Sequence, residues 1–483
     1  MFKKVFLVLM ATLAILTMTS CAMAPNGGMM DAEISNGLAN EEYNDIKENN
    51  FIDASKTPLS SFSLDSSTYA YSNIRRLINE GSYIDPDAVV IEQMLNYFSY
   101  DYVNNTENAL NSILELATCP WNTSHYLASI AVKAKDYDLV DQANNFVFLI
   151  DVSGSMSSDN KLGLFQQSFN LLMNELGQND TISIVTYASG VNVLMNGVNG
   201  SEKGKILDAV MSLTASGGTN GSGGIQKAYE LANQYYNQDG NNRVLLVTDG
   251  DFNIGLTGTR LTDFISEKRD LGIYLSIFGY GMGNTKHNVM EDLATNGNGN
   301  YYYIDSLLEA KKVFVNELGG TMLTVAKDCK AQVEFNPEAV SKYRLLGYEN
   351  KQLTEDEFED DETDAGEIGA GHTTIAMYEI VPTENFLNTD VIFKSILRYK
   401  DVDTSASIEV TNALNEIKMV SENDYQFASC VVEFALLLRD SEYKGNASYE
   451  SILSRLNQLT LSDYFKQEFK QLVQAVSNKN KAD

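Results

Sequence analysis

At 483 residues, with 44% apolar and 21% charged side chains, the chain is long enough for two or three domains with sizeable cores. It carries 65 Asp and Glu against 35 Lys and Arg, a net charge of −30 at pH 7. That balance excludes a nucleic-acid partner, because polyanion binding needs clustered cations to displace counter-ions. Acidity of this kind favours solubility rather than a dedicated basic partner.

Lys3 and Lys4 precede an apolar stretch over 5–16, and small polar residues lead into Cys21. Residues 1–20 therefore read as a signal peptide whose apolar part is too short to span a membrane. The sequence MTSC at 18–21 resembles a bacterial lipobox, although Met18 stands where leucine is more usual. The resemblance implies lipidation at Cys21; the alternative is an ordinary secretory signal. The expected location is the cell envelope outside the cytoplasm, anchored to the membrane without crossing it. Residues 21–57, rich in Asn, Glu, Asp, Gly and Met without sustained periodicity, read as a flexible tether.

Residues 58–143 form an N-terminal segment: a strand, a helix, a second helix after Pro86, and a strand at 125–133. From 144 to 320 apolar strands alternate with amphipathic helices. Strands are expected at 146–150, 182–187, 243–248, 273–280 and 301–304, with helices at 161–176, 202–213, 224–236, 261–271, 288–295 and 307–318. This pattern specifies an α/β fold, a doubly wound, mostly parallel Rossmann-like sheet. A short strand at 191–194 follows its predecessor closely, as an antiparallel edge would. Residues 321–422 read as a β-rich accessory domain, which shares its sheet with the N-terminal segment so that the α/β domain is inserted in it. Residues 423–483 read as about three C-terminal helices.

Other features have plain readings. Trp121 is a core anchor, and Cys430 in FASCVVEFALLL is a small buried hydrophobe. Cys119 and Cys329 flank the central domain; an export signal permits a disulfide between them, with two buried thiols as the alternative. The acidic run 355–367 lacks any EF-hand register and reads as a solvated loop.

Chemistry concentrates where FVFLIDVSGSM (146–156) leaves its strand. Asp151, Ser153 and Ser155 gather small oxygen-bearing side chains at a strand end, where ligands bind in open α/β sheets. Thr219, in ASGGTNGSGG, and Asp249, after strand 243–248, reach the same edge if the two strands are neighbours. Serine and threonine hydroxyls leave much of a cation's charge unquenched, and carboxylates behind them can hold its waters. Such a cation attracts an external carboxylate. Asp251 suits a turn as well as a ligand.

DVSGS (151–155), SGGT (216–219) and TDG (248–250) resemble the metal-ion-dependent adhesion site of von Willebrand factor type A domains. The resemblance implies Mg²⁺, or Mn²⁺, held directly by Ser153 and Ser155, directly or through water by Thr219, and mainly through water by Asp151 and Asp249. STYAYSNIRRLINEG, VEFNP, YRLLGYENK and EFALLLRDSEYKGNASY resemble the flanking regions of an exported bacterial subgroup of that family. The expected partner is a protein offering Glu or Asp, and the rival reading is an envelope scaffold in which the metal is a staple. No GxxxxGK[ST] supports nucleotide binding. No GxSxG elbow surrounds Ser153 or Ser155, and His125, His287 and His372 read as structural or exposed rather than catalytic.

Overall fold

The computed structural model describes residues 41–64, 66–136, 143–218, 222–250, 259–281, 285–317, 324–402, 404–414 and 423–482, all within the unit Leu38–Asp483. The signal peptide, Cys21, the start of the tether, Thr219 and Asp251 lie outside the described residues.

The chain begins with β1 (Ile52–Asp53), β2 (Leu59–Ser63) and α1 (Tyr69–Glu80), then α2 (Ile91–Asn96), β3 (Leu110–Thr118) and β4 (Tyr126–Ala134). Pro86 opens a 3-10 turn rather than the second helix itself, with Asp85 accepting from the Asp87 amide. The central elements follow: β5 (Asn144–Asp151), α3 (Leu164–Leu172), β6 (Thr181–Tyr187), β7 (Val191–Asn199), α4 (Lys203–Met211), α5 (Ser222–Gln234), β8 (Asn241–Thr248), α6 (Thr259–Asp270), β9 (Ile273–Tyr280), α7 (His287–Asn296), β10 (Tyr301–Ile304) and α8 (Leu307–Lys311). Their sheet runs β10-β9-β8-β5-β6-β7, parallel except for β7, which is antiparallel to β6. Strands buried on both faces need cover on both. Phe165, Phe169, Ile206, Val313 and Phe314 supply it on one side, and Ile225, Ala228, Ile265, Met290 and Leu293 on the other. From β5 the chain goes to β6 on one side and later to β8 on the other, so the C-terminal ends of β5 and β8 flank the switch point.

After the central domain come β11 (Thr324–Phe335), β12 (Val340–Leu346), β13 (Gln352–Leu353), α9 (Glu355–Glu359), β14 (Gly366–Gly369), β15 (Thr373–Pro382), β16 (Phe393–Asp401) and β17 (Ser407–Leu414). They join the early strands in two antiparallel sheets, β1-β12-β15-β4-β3 and β13-β2-β11-β16-β17, with β14 also on β11. Because β4 pairs with β15 and β2 with β11, segments before and after the α/β domain build the same sheets, and that domain is an insertion. Phe62, Val333, Tyr343, Tyr378 and Phe393 fill the core between the sheets. The other face of the first sheet, with Leu127, Ala131, Ile375 and Met377, is covered by α1, α2 and the C-terminal helices α10 (Asn423–Leu438), α11 (Tyr449–Leu456) and α12 (Tyr464–Ala482). Among the described residues no helix is long and apolar enough to cross a membrane.

Several expectations are corrected. Residues 41–57 are not part of a tether. Arg76 donates to both oxygens of Glu41 at 2.8 Å, Asn49 Nδ2 donates to the Leu345 and Gly347 carbonyls, and β1 pairs with β12. The segment buries polar groups against matched polar partners, so its composition resembles that of a loop. Cys119 and Cys329 are free and buried in different cores, which rules out the bridge between them. The helix expected at 161–176 is a π turn at Asp159–Gly163 followed by α3, and the last central helix is α8 followed by a π turn at Lys312–Glu317. Within the acidic run, 355–359 is the helix α9, started by a capping box between Thr354 and Glu357.

Candidate functional site

β5 delivers Asp151 to the C-terminal edge of the central sheet, and its pairing of Ile150 with Val247 brings the end of β8 alongside. Asp249 follows β8 directly, so two fully buried carboxylates meet at the switch point. Asp151 Oδ1 accepts from the Ser153 amide at 2.8 Å, an Asx turn that folds the loop back on itself. The Ser153 and Ser155 hydroxyls then stand 2.9 Å apart, Ser153 buried and Ser155 exposed at the mouth.

The glycine-rich loop is drawn onto this turn by backbone bonds. The Ser216 amide donates to the Val152 carbonyl at 2.8 Å, and the Gly154 amide to the Gly217 carbonyl at 3.0 Å. Gly217 turns at φ +83°, and a Cβ there would lie 2.7 Å from Ser189 Oγ, so a side chain has no room. The Gly218 amide in turn donates to that hydroxyl at 2.9 Å. The described part of the loop thus ends at the rim, one residue short of Thr219. Of the five expected site residues the described structure gathers Asp151, Ser153, Ser155 and Asp249.

Burial pushes the Asp151 carboxyl up to about 6, the charge of Asp249 adds to the rise, and the bonds from Ser153 oppose it. Its second oxygen, Oδ2, is buried without a donor at full bonding geometry, the Tyr187 hydroxyl only helping to favour its charge. Asp249 is matched differently: Lys161 Nζ donates to its Oδ2 at 2.8 Å. Sequence reasoning missed Lys161, which reads as the first residue of an amphipathic helix. A lysine soon after DVSGS is the available signal, and it does not say which carboxylate the ammonium reaches.

These residues fit a hard divalent cation. They offer oxygens only: the buried Ser153 hydroxyl, the exposed Ser155 hydroxyl and an under-bonded carboxylate oxygen of Asp151. Among the described residues no group of three or more His, Cys, Asp or Glu converges on a metal position, so a cation here depends on hydroxyl oxygens. Two of the three histidines have other employment. His287 is stacked against Tyr43 and Tyr69 and hydrogen-bonded to the Tyr301 hydroxyl at 2.8 Å, and burial draws its pKa down to about 3. His125 Nδ1 lies 2.6 Å from Glu379 Oε1.

Comparison with known proteins matches three family descriptions along the chain. They are von Willebrand factor over residues 38–129, von Willebrand factor type A domain over 146–251, and "Uncharacterized protein YfbK, C-terminal" over 320–394 and 388–478. "Uncharacterized protein YfbK" of Escherichia coli (strain K12) is 37% identical over 442 residues, covering 85% of this chain and 76% of its own length. Among solved structures, a von Willebrand factor type A protein from Catenulispora acidiphila is 14% identical, with a TM-score of 0.41 over 74% of this chain and 89% of its own. The ArnB paralog VWA2 from Sulfolobus acidocaldarius is 16% identical, with a TM-score of 0.39 over 77% of this chain and 98% of its own.

Proposed function

The chain belongs to the von Willebrand factor type A family that includes the YfbK protein of Escherichia coli, and from that premise we propose a divalent-cation-dependent receptor for an acidic protein ligand. Domains of this family mediate protein interactions. The finer reading is that Mg²⁺ or Mn²⁺ is held at Asp151, Ser153, Ser155, Thr219 and Asp249. A Glu or Asp of the partner completes its coordination.

The observation that carries this reading is the buried Oδ2 of Asp151, a carboxylate oxygen with no full donor, on the residue whose Oδ1 folds the Ser153–Ser155 loop back on itself. Leaving a buried carboxylate under-bonded costs stability unless a cation or its waters answer it. With Ser153 and Ser155 as neutral ligands the cation keeps net positive charge, and the carboxylate it attracts is a ligand rather than a substrate. We read the protein as a binding protein and not an enzyme. It is exported and held at the cell envelope through lipid on Cys21, facing away from the cytoplasm.

Titration of the full chain with Mg²⁺ or Mn²⁺ should show one site that Asp151→Ala abolishes. Binding that survives this substitution unchanged would sink the reading. Crosslinking and pull-down from the membrane fraction should capture a partner that EDTA releases. If EDTA lowers stability but leaves capture intact, the metal is a staple and the protein a scaffold.

A further inference from the structure

Lys161 stands beside the site as a cation built into the chain. Its ammonium bonds Asp249 Oδ2, with 11% of the lysine side chain and none of the aspartate exposed. The π turn at Asp159–Gly163 breaks the helical ladder at Lys161, whose φ of −118° and ψ of −105° aim the side chain back towards β8. The stem then runs across Gly281, which follows β9. A Cβ on Gly281 would lie 2.3 Å from Lys161 Cε and 2.7 Å from its Cγ, and Gly281 has φ +90°. Only glycine leaves that channel open. A surface lysine that met Asp249 by chance would need neither the broken turn nor the glycine.

We infer that Lys161 is an internal counter-ion that sets the cation affinity of this site. This rests on the proposed cation-dependent reading and deepens it. Two like charges drawn to one buried carboxylate repel each other strongly where water is excluded. A divalent cation entering near Asp151, Ser153 and Ser155 must therefore bind against the ammonium or dislodge it from Asp249. Without a cation the ammonium offsets part of the cost of burying the Asp249 charge. The protein is thus folded and ready before the metal arrives, and it holds the metal more weakly than its oxygens alone would allow. A partner carboxylate adds negative charge and offsets the repulsion, so metal and partner each strengthen the other's binding.

The test uses the full chain and Mn²⁺ alone, followed by calorimetry, by the paramagnetic resonance of free Mn²⁺ and by melting temperature. Lys161→Met keeps an apolar stem under Gly281 and removes the charge; Lys161→Gln keeps a neutral donor for Asp249. Both should bind Mn²⁺ more tightly than the parent, by about tenfold for the methionine form. Their metal-free melting temperatures should fall, and Mn²⁺ should raise them by more than it raises the parent's. A methionine form that folds only with Mn²⁺ supports the inference, and the glutamine form then supplies the affinity. Parent binding with equal or weaker binding in both variants overturns the role of Lys161 and leaves the cation site standing. No Mn²⁺ binding by any of the three overturns both.

Discussion

Two of the places where the described residues bury carboxylates against the central domain are completed in opposite ways. At one, Arg75 of α1 is enclosed by Asp305 and Glu309 just after β10, by Glu468 of α12 and by the Tyr97 hydroxyl, at 2.9, 2.8, 3.1 and 2.8 Å. The Tyr97 hydroxyl also donates to Glu309 at 2.6 Å, and Lys312 lies 4.2 Å from the centre of the Tyr97 ring. At the other, Asp151 keeps an oxygen without a full donor and Asp249 pairs with Lys161. A saturated cluster is a joint, here tying α1 and α12 to the segment that ends the α/β domain. An unsaturated one keeps an oxygen that the proposed cation would answer.

The largest effect should come from breaking the joint. Arg75→Met leaves Glu309, 2% exposed, and its neighbours without their cation and should cost about 3–5 kcal/mol in denaturant unfolding. A loss near that of a surface substitution would mean the cluster is not the joint described.

Asp151→Asn should act in the opposite direction. Burial raises the folded pKa to about 6 from an ordinary 3.8, so the folded state keeps a proton that the unfolded chain has already lost. Stability therefore falls as pH rises through that window, and the whole penalty is present above it. Without metal at pH 7 the asparagine form should be more stable than the parent by roughly 2 kcal/mol, with the gap closing near pH ~4. A parent that is the more stable at pH 7 would show that Asp151 is satisfied within the fold. The smallest effect belongs to Ser155→Ala. At an exposed position it should change metal-free stability by less than about 0.5 kcal/mol while weakening Mn²⁺ binding, so that affinity and stability separate.

Much of the central domain was legible in the residues. Apolar runs such as 146–150 and 244–247 announce parallel strands because both their faces are buried, and DVSGS, SGGT and TDG are local words at strand ends and in a glycine loop. The antiparallel edge was visible in the short gap between 187 and 191. Less legible were segments whose partners are polar. Residues 41–57 look like a loop until Glu41 meets Arg76 and β1 meets β12. The start of α3 looks like regular helix until the turn at Lys161.

What the sequence determined by itself was the alternation of strand and helix and the kinds of oxygen at the switch point, since both depend on neighbours within a few residues. The tertiary structure decided who answers each charge. Lys161 and Asp249 are 88 positions apart, Arg75 and Asp305 are 230, and Arg75 and Glu468 are 393. No period or motif spans such distances, because the register between elements is set by packing. Only the packed fold distinguishes the saturated carboxylates around Arg75 from Asp151, which keeps an oxygen short of a donor.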